Sequence, residues 1–248
     1  MTTSLRIALV TGGLGGIGRA ICRQLAADGA HVIAADLPAE AARLDAFTAG
    51  MDGLPVETRA LDVGDAQACA AAVADVQARH GRLDILVNAA GITRDATLRK
   101  MSAEQWDDVL RVNLDSAFHL CRAAVESMVA RGFGRIVNIS SVSGQTGNFG
   151  QANYAAAKAG LHGLTMSLAR EVAAKGVTVN SISPGYVETP MTAAMPPEVL
   201  ARTVASVPVG RVGQPDDIAR AVVFLTADEA GYITGINLPV NGGLLMGF

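Results

Sequence analysis

The stretch SSVSGQTGNFGQANYAAAKAG, from Ser140 to Gly160, carries three side chains that can move a proton. Ser141 offers a hydroxyl, Tyr154 a phenol thirteen residues later, and Lys158 an amine four residues after the tyrosine. Four residues is about one helical turn, so we expect the Lys158 ammonium to lie near the phenol and to favour the phenolate. Ser141 would then anchor a substrate oxygen, and Tyr154 would act as general acid or base in the reversible reduction of a carbonyl.

This spacing occurs by chance on many amphipathic helices, so the assignment depends on a cofactor site in the same chain. The segment TGGLGGIGRAICRQLAADG follows a β-branched run and opens a helix-period run. Its glycines would let backbone N–H groups and a helix N-terminus approach a pyrophosphate. No GK[ST] pattern follows them, so a nucleoside triphosphate site is not expected. The residues of this turn assigned to a dinucleotide are Gly12, Leu14, Gly15, Gly16, Ile17 and Gly18.

Asp36 closes the next predicted strand, eighteen residues after Gly18, where a carboxylate accepts hydrogen bonds from the adenosine ribose. A 2′-phosphate there would meet a like charge, with a repulsion of about 1 to 4 kcal/mol at about 4 Å. Neither Gly15, which precedes Gly16, nor Leu37, which follows Asp36, supplies a compensating cation. We therefore predict NAD(H) in preference to NADP(H).

Short β-branched runs alternate along the chain with longer Ala-rich runs of helical period. The runs predicted as strands are RIALVTG, HVIAAD, VETRALD, DILVNAAG, GRIVNIS, VTVNSISPG and INLPVNGG. The alternation predicts an α/β fold: one Rossmann-type domain, residues 1–248, with a doubly wound parallel sheet of about seven strands and helices on both faces. Ligands bind beyond the carboxyl ends of such strands. An irregular segment with several prolines, at about 187–206, is predicted to be a lid, with a plain surface loop as the alternative.

The composition indicates small-molecule partners. A net charge of −3 without a basic cluster gives no electrostatic footprint for nucleic acid. No apolar run reaches the roughly 18 residues of a membrane span, and the start lacks signal-peptide features, so we expect a soluble, cytoplasmic protein. The three cysteines lie in separate predicted helices, which predicts buried reduced thiols. The histidines show no metal-ligand spacing and receive no role, and no metal is expected to be needed. They are His31, His80, His119 and His162.

These motifs resemble those of the short-chain dehydrogenase/reductase family. The resemblance runs through TGGLGGIG, NAAG, RVNLDSAF, NISSV, YAAAK, SPGYVETPM and the terminal VNGG. It implies that Asn113 is a fourth catalytic residue, holding a water that links Lys158 to a proton relay. It also implies that Tyr154 and Lys158 belong to the cofactor site, the lysine bonding the nicotinamide ribose. The further cofactor residues it implies are Asp62 and Val63 at the adenine, Asn88 and Gly91 on the adenosine side, and Pro184, Gly185, Val187 and Thr189 at the nicotinamide.

Within this family, GITRDATLRKM, FGQANYAAAKAGLHGLTMSLAREVAAKGVTVNSISPGY and NGGLLMG resemble acetoacetyl-CoA reductases, with 3-oxoacyl-[acyl-carrier-protein] reductases next. The resemblance implies an acyl-CoA thioester as substrate. Lys100, with Arg94 and Arg99 beside it, would meet its phosphates, unless these three form a solvated basic loop. Two positions depart from the pattern: Ala89 stands for an asparagine and Asn148 for a glutamine. The substrate residues implied are Asp95, Lys100, Asn148, Gln151 and Tyr186.

The sequence leaves alternatives open. A carrier-protein thioester, or another secondary alcohol or ketone, is an alternative to the acyl-CoA, because family resemblance sets only the reaction class. The acetoacetyl-CoA reductases of storage-polyester synthesis resemble NADPH enzymes, whereas Asp36 favours NADH, so the physiological direction is open as well. A dinucleotide-binding protein without turnover is disfavoured, since the whole catalytic set is present. The apolar end INLPVNGGLLMGF resembles the family's subunit-contact strand and predicts a homotetramer.

Overall fold

A computed structural model describes residues 5–188 and 197–246. The strands in this part of the chain are β1 (Arg6–Thr11), β2 (Ala30–Asp36), β3 (Val56–Ala60), β4 (Ile85–Asn88), β5 (Gly134–Ile139), β6 (Val177–Pro184) and β7 (Asn237–Val240). They form one parallel sheet in the order β3-β2-β1-β4-β5-β6-β7. Each run predicted as a strand overlaps one of these strands, so the doubly wound α/β fold is confirmed.

Helices connect consecutive strands. They are α1 (Gly16–Ala27), α2 (Ala41–Ala49), α3 (Ala66–His80), α4 (Ala103–Leu110), α5 (Ser116–Arg131), α6 (Ser143–Thr146), α7 (Ala152–Val172), α8 (Pro197–Ser206) and α9 (Pro215–Thr226). A π-helical turn, Arg111–Asp115, joins α4 to α5, and 3₁₀ turns lie at Ala173–Lys175 and Asp228–Tyr232. Local chemistry sets several boundaries. The Asp65 carboxylate accepts the N–H groups of Gln67 and Ala68 at the start of α3, and Gly81 ends that helix with a φ of 73°.

Helices cover both faces of the sheet, and the side chains of each strand alternate between the two faces, so both sets are buried. In β1, Ala8 and Val10 join a core cluster with α1 and α9, whereas Ile7 and Leu9 join a second cluster with α3 and α5. All four side chains are nearly inaccessible to solvent. The apolar runs that predicted the strands therefore supply two cores, one under each helical layer.

The three cysteines lie in α1, α3 and α5, and all are free and buried, which confirms the sequence prediction. Burial raises the pKa of Cys69 to about 11 and that of Cys121 to about 12. Across residues 5–188 and 197–246, no helix combines the length and the apolar character that crossing a bilayer requires.

The strand order reverses direction on either side of β1. The chain moves outward from β1 to β2 and β3, and then returns to β4 on the other side. This switch point leaves a crevice between the loops that follow β1 and β4, which is where open α/β sheets bind ligands. The fold thus brings the glycine turn after β1 close to the loop Ala89–Gly91 after β4.

The segment predicted as an irregular lid contains a helix. Residues 197–206 form α8, and the rest of the segment after residue 188 lies outside the described residues. The prolines misled the prediction, because a proline at the first position of a helix is favourable rather than disruptive. Thr203 of α8 lines the cleft described below, so this helix lies at the site.

Candidate active site

A cleft of about 1180 Å³ opens where the carboxyl ends of the central strands meet. It brings together most of the residues singled out in the sequence. The predicted residues that line it are Gly12, Gly15, Gly16, Ile17, Gly18, Asp36, Asp62, Val63, Gly91, Asp95, Ser141, Asn148, Gln151, Tyr154, Lys158, Pro184, Gly185, Tyr186 and Val187. Leu14, Asn88, Lys100 and Asn113 do not line it, and Thr189 lies outside the described residues.

The glycine turn is shaped for an anionic group. Gly12 has a φ of 64°, a conformation that favours glycine, and a Cβ on Gly18 would lie 2.0 Å from the Gly12 carbonyl oxygen. Helix α1 therefore packs against the turn only because Gly18 lacks a side chain, and the loop after β4 approaches Gly12 closely because that residue lacks one as well. Gly15 caps α1 without a side-chain hydrogen bond, so the first N–H groups of the helix face the cleft uncapped by any described side chain. These residues fit the pyrophosphate of a dinucleotide.

Asp36 stands at the ribose end of this turn, and its carboxylate is oriented by two backbone donors. The N–H of Leu14 donates to Oδ2 at 3.0 Å and the N–H of Leu37 to Oδ1 at 2.9 Å. Leu14 thus acts through its backbone, since its side chain packs against the core. The guanidinium of Arg43 lies 4.0 Å from Asp36 Oδ2 and lines the cleft. The sequence analysis missed this cation, because it reaches back from α2 and is adjacent to neither Gly16 nor Asp36.

Tyr154 and Lys158 lie one turn apart in α7, as their spacing predicts. The Lys158 side chain is buried, its Nζ donates to the carbonyl oxygen of Ile139 at 2.8 Å, and Nζ lies 5.5 Å from the centre of the Tyr154 ring. Burial lowers the pKa of Lys158 to about 8. The ammonium is therefore held at the end of β5, next to the phenol and partly deprived of its charge above neutral pH.

The effect of burial on Tyr154 differs from the expectation. Burial raises the pKa of the phenol, the nearby charge of Asp95 raises it further, and a hydrogen bond with Ser141 only partly opposes this. The lowering expected from Lys158 does not offset burial, because Nζ is turned toward the Ile139 carbonyl. In this arrangement the phenol keeps its proton at neutral pH.

Ser141 follows β5 and is fixed by its neighbours. Its Oγ accepts the N–H of Ser143 at 3.1 Å, which leaves the hydroxyl proton to donate. Behind it, Ser140 Oγ donates to the backbone oxygen of Lys158 at 2.8 Å and lies 2.8 Å from His162 Nε2. Since the Ser140 proton is used on Lys158, His162 Nε2 is the donor to Ser140. The sequence analysis gave His162 no role, and the structure shows it supporting the strand end that carries Ser141.

Asn113 lies in the π-helical turn and points away from solvent. Its Nδ2 donates to the carbonyl oxygens of Ile92 and Val109, both at 2.9 Å. Its Oδ1 is buried and has no hydrogen-bond partner among the described residues. A Cβ built on Gly91 would lie 2.6 Å from this oxygen and 3.5 Å from Lys158 Nζ. The acceptor of Asn113 and the ammonium of Lys158 therefore border the same small space beside Gly91.

Of the residues assigned to the adenosine end, some line the cleft and one lies behind it. Asp62 and Val63 line the cleft, with Asp62 Oδ1 accepting the N–H of Gly64 at 2.8 Å. Asn88 does not line it, because its Nδ2 donates to Asn138 Oδ1 at 2.8 Å inside the sheet. The Asn88 side chain therefore faces the sheet interior behind the cleft. Arg111, which the sequence analysis did not select, lines the cleft near Asp62.

The residues assigned to the substrate form a polar row at the outer cleft. Asn148 Nδ2 donates to Gln151 Oε1 at 2.9 Å, and Gln151 Nε2 donates to both oxygens of Asp95, at 3.1 and 3.2 Å. Tyr186 lines the cleft and also a neighbouring cavity of about 310 Å³. Lys100 is exposed on a turn outside the cleft lining, so its assignment to the substrate gains no support from position.

Fold and cleft together define a dinucleotide-dependent oxidoreductase of the doubly wound α/β class. A family model described as enoyl-(acyl carrier protein) reductase matches residues 12–245. The chain belongs to the short-chain dehydrogenase/reductase family, whose members use NAD(P) and act on a ketone or hydroxyl group.

Relatives at about half identity match nearly the whole chain. An acetoacetyl-CoA reductase of Allochromatium vinosum is 54% identical over 97% of this chain and 99% of its own length. The acetoacetyl-CoA reductase of Cupriavidus necator is 49% identical over 98% of this chain and 99% of its own length. A 3-oxoacyl-[acyl-carrier-protein] reductase of Escherichia coli is 48% identical over 97% of this chain and 98% of its own. Both substrate groups considered in the sequence analysis thus occur among its relatives.

Replacing Lys158 by methionine removes a charge that the fold buries. The folded pKa of about 8 lies below the ordinary 10.5, so the unfolded chain binds more protons between these values. The loss of folding stability caused by the buried Lys158 charge has its full value below pH 8 and decreases to zero as the pH rises toward 10.5. We expect Lys158→Met to be more stable than the wild type at pH 7, by on the order of 3 kcal/mol, and to lose this advantage by pH 10.

Thermal unfolding at pH 7 and pH 10 measures this difference. Lys175→Met, which changes an exposed lysine just after α7, is the matched control and should follow the wild type at both pH values. A Lys158→Met protein that unfolds below the wild type at pH 7 would show that the buried charge is not destabilising.

Gly91→Ala places a methyl group in the space between Asn113 Oδ1 and Lys158 Nζ. If that space is part of the proton path, kcat at saturating cofactor falls by on the order of 100-fold. Gly163→Ala in α7 is the control, because its Cβ meets no heavy atom within 4 Å. It should keep kcat and raise stability by about 0.5 to 1 kcal/mol. Equal rates for the two variants would remove the Gly91 space from the mechanism.

Proposed function

We propose that this chain interconverts a 3-oxoacyl-CoA, with acetoacetyl-CoA as the first candidate, and the (R)-3-hydroxyacyl-CoA, using NAD(H). The observation that carries the proposal is that Ser141, Tyr154 and Lys158 face the cleft that the glycine turn also lines. The acetoacetyl-CoA reductases at 54% and 49% identity support the choice of substrate.

The protein acts on the carbonyl oxygen. A bound nicotinamide dinucleotide supplies the hydride or accepts it. Ser141 donates a hydrogen bond to the substrate oxygen, and Tyr154 donates the proton that converts the developing alkoxide to a hydroxyl. Because burial raises the pKa of Tyr154, the phenol is protonated at neutral pH and suited to the acid role. This favours reduction as the direction of rapid turnover near pH 7, whereas oxidation gains from higher pH.

The proton that Tyr154 gives up is replaced through Lys158 and Asn113. Lys158 Nζ lies beside the phenol ring, and the free acceptor of Asn113 borders the same space near Gly91. In the direction of reduction, the Lys158 ammonium would pass a proton to the Tyr154 phenolate, and a water held by Asn113 Oδ1 would return a proton from solvent to the amine; oxidation would reverse both transfers. The π-helical turn supports this role, since such turns commonly occur at functional sites.

The preference for NADH rests on Asp36, and Arg43 limits it. The Asp36 carboxylate accepts hydrogen bonds from ribose hydroxyls and repels a 2′-phosphate. The Arg43 guanidinium at 4.0 Å offsets part of that repulsion. We therefore propose a preference for NADH that is weaker than Asp36 alone would give.

The outer cleft suits an amide-containing acyl carrier. Asn148 and Gln151 present amide donors and acceptors beside Asp95, and Arg94 lines the same wall. The pantetheine arm of CoA contains amides that such groups bind. A carrier protein presents the same arm, and the 48% identity to a 3-oxoacyl-[acyl-carrier-protein] reductase makes that thioester the second candidate.

Association into a homotetramer is part of the proposal. β7 is the last strand of the sheet order, so one of its backbone edges is unpaired within the described fold. Phe224, Tyr232 and Ile236 expose apolar side chains in the segments that precede this strand. A symmetric contact between copies would cover both features.

Initial rates with acetoacetyl-CoA test the substrate and the cofactor together. We expect turnover with NADH at a higher kcat/KM than with NADPH, and a lower rate on 3-oxoacyl groups attached to a carrier protein. Tyr154→Phe should reduce kcat by about 100- to 10,000-fold while NADH still binds, because only the proton donor is lost. Absence of acetoacetyl-CoA turnover in the wild type would contradict the substrate, and an active Tyr154→Phe protein would contradict the mechanism.

Asp36→Asn tests how the cofactor is chosen. The change removes the like charge and leaves Arg43 facing a 2′-phosphate, so kcat/KM for NADPH relative to NADH should rise by at least about tenfold. The double variant Asp36→Asn/Arg43→Ala should show a smaller rise, and Arg43→Ala alone should strengthen the preference for NADH. An unchanged ratio in Asp36→Asn would show that Asp36 does not select the cofactor.

A further inference from the structure

Two histidines and a glutamate meet at the amino-terminal end of the sheet, far from the cleft. His31 is the second residue of β2, Glu57 the second residue of β3, and His80 the last residue of α3. Parallel pairing of β2 with β3 brings the first two together, and the end of α3 adds the third. None of the three lines the cleft, which lies at the carboxyl ends of the strands. The spacing of the histidines along the chain gave no sign of this cluster.

The ligand atoms of the three side chains converge within 4.8 Å of one another. Glu57 Oε1 lies 3.3 Å from His80 Nε2 and 3.8 Å from His31 Nε2. A tetrahedral zinc ion with bonds of about 2.0 to 2.1 Å to nitrogen and oxygen sets its ligands about 3.3 to 3.5 Å apart. Of the two separations from Glu57 Oε1, the one to His80 already matches and the one to His31 is a few tenths of an ångström too long. The ligand atoms of the two histidines lie within 4.8 Å of each other, and they would also have to close to this range.

An unsatisfied nitrogen points to a missing partner at this cluster. His31 Nε2 is buried and has no hydrogen-bond partner among the described residues. A buried polar nitrogen without a partner is unfavourable, and binding a cation would satisfy it. The side chains retain between 18% and 30% exposure, so an ion and a water can enter from solvent.

Arg79 binds one carboxylate oxygen of Glu57 and leaves the other available to a cation. The guanidinium donates to Glu57 Oε2 at 2.8 Å, which leaves Oε1 directed at the histidines. The positive charge of Arg79 is shared with Asp75, at 3.8 Å, which reduces its repulsion of a cation.

We propose that His31, Glu57 and His80 bind a divalent transition-metal ion, with zinc as the first candidate. Two imidazoles and one carboxylate suit zinc and disfavour magnesium and calcium, which prefer oxygen ligands. Three protein ligands leave the fourth tetrahedral position for water. The ion would tie β2, β3 and the end of α3 together at the edge of the sheet that β3 forms. It would stabilise the fold without taking part in turnover.

Zinc binding by the tag-free protein, first treated with a chelator and then dialysed, tests the proposal. Competition with a chromophoric zinc indicator at pH 7.5 gives the affinity, and thermal unfolding with and without Zn²⁺ gives the stabilisation. We expect binding of one ion and a rise in the unfolding temperature with Zn²⁺ but not with Mg²⁺. Absence of binding at micromolar zinc would overturn the proposal.

Variants locate the ion. His31→Gln and His80→Gln should each weaken zinc binding by at least about tenfold and remove the thermal shift. His119→Gln changes a histidine on α5, outside the cluster, and should bind like the wild type. Zinc affinity that is unchanged in both cluster variants would place the ion elsewhere and overturn the assignment. Because neither residue lines the cleft, the two variants should keep the wild-type turnover in chelator-treated protein.

Discussion

The ammonium of Lys158 is buried, and its contacts fix the relative positions of α7 and β5. Nζ donates to the Ile139 carbonyl at the end of the strand, and Ser140 Oγ donates to the Lys158 backbone oxygen. These two bonds run in opposite directions between the same two elements, so α7 cannot slide along β5 without breaking one of them. Tyr154 sits one turn earlier on α7, and its position relative to Ser141 is therefore set by the bonds of Lys158. Burying the Lys158 ammonium lowers the stability of the fold, but the hydrogen bonds of this residue hold Tyr154 and Ser141 in place.

The parallel sheet determines why residues far apart in the chain share one cleft. The carboxyl ends of all the strands lie at the same end of the sheet, and each loop that follows a strand there contributes a different chemical group to the cleft. The start of α1, after β1, supplies uncapped N–H groups, β2 ends in the Asp36 carboxylate, and β5 leads to Ser141. The amino-terminal end of the sheet brings together another set of residues, because the parallel strands also begin at the same end. There the starts of β2 and β3 carry His31 and Glu57. The two ends of one sheet thus hold separate chemical groups that do not touch.

Residues whose placement depends on local geometry were predictable from sequence. The glycine turn needs only the strand before it and the helix after it, and Tyr154 and Lys158 need only one helical turn between them. Arg43 and the His31–Glu57–His80 cluster were missed because they depend on how long side chains reach across neighbouring elements. The pKa of Tyr154 was misjudged because spacing records the nearby ammonium but not the burial of the phenol. The direction of the Asn88 side chain could not be predicted, because a strand-end amide can face the sheet interior as well as the cleft.

The burial of the three cysteines affects how the protein responds to oxidants. Cys22, Cys69 and Cys121 are enclosed in the two cores, and burial raises the pKa of each thiol. Peroxides and disulfides react with the thiolate, which these residues do not form at neutral pH. The three cysteines therefore offer glutathione and peroxides no thiolate through which turnover could be switched.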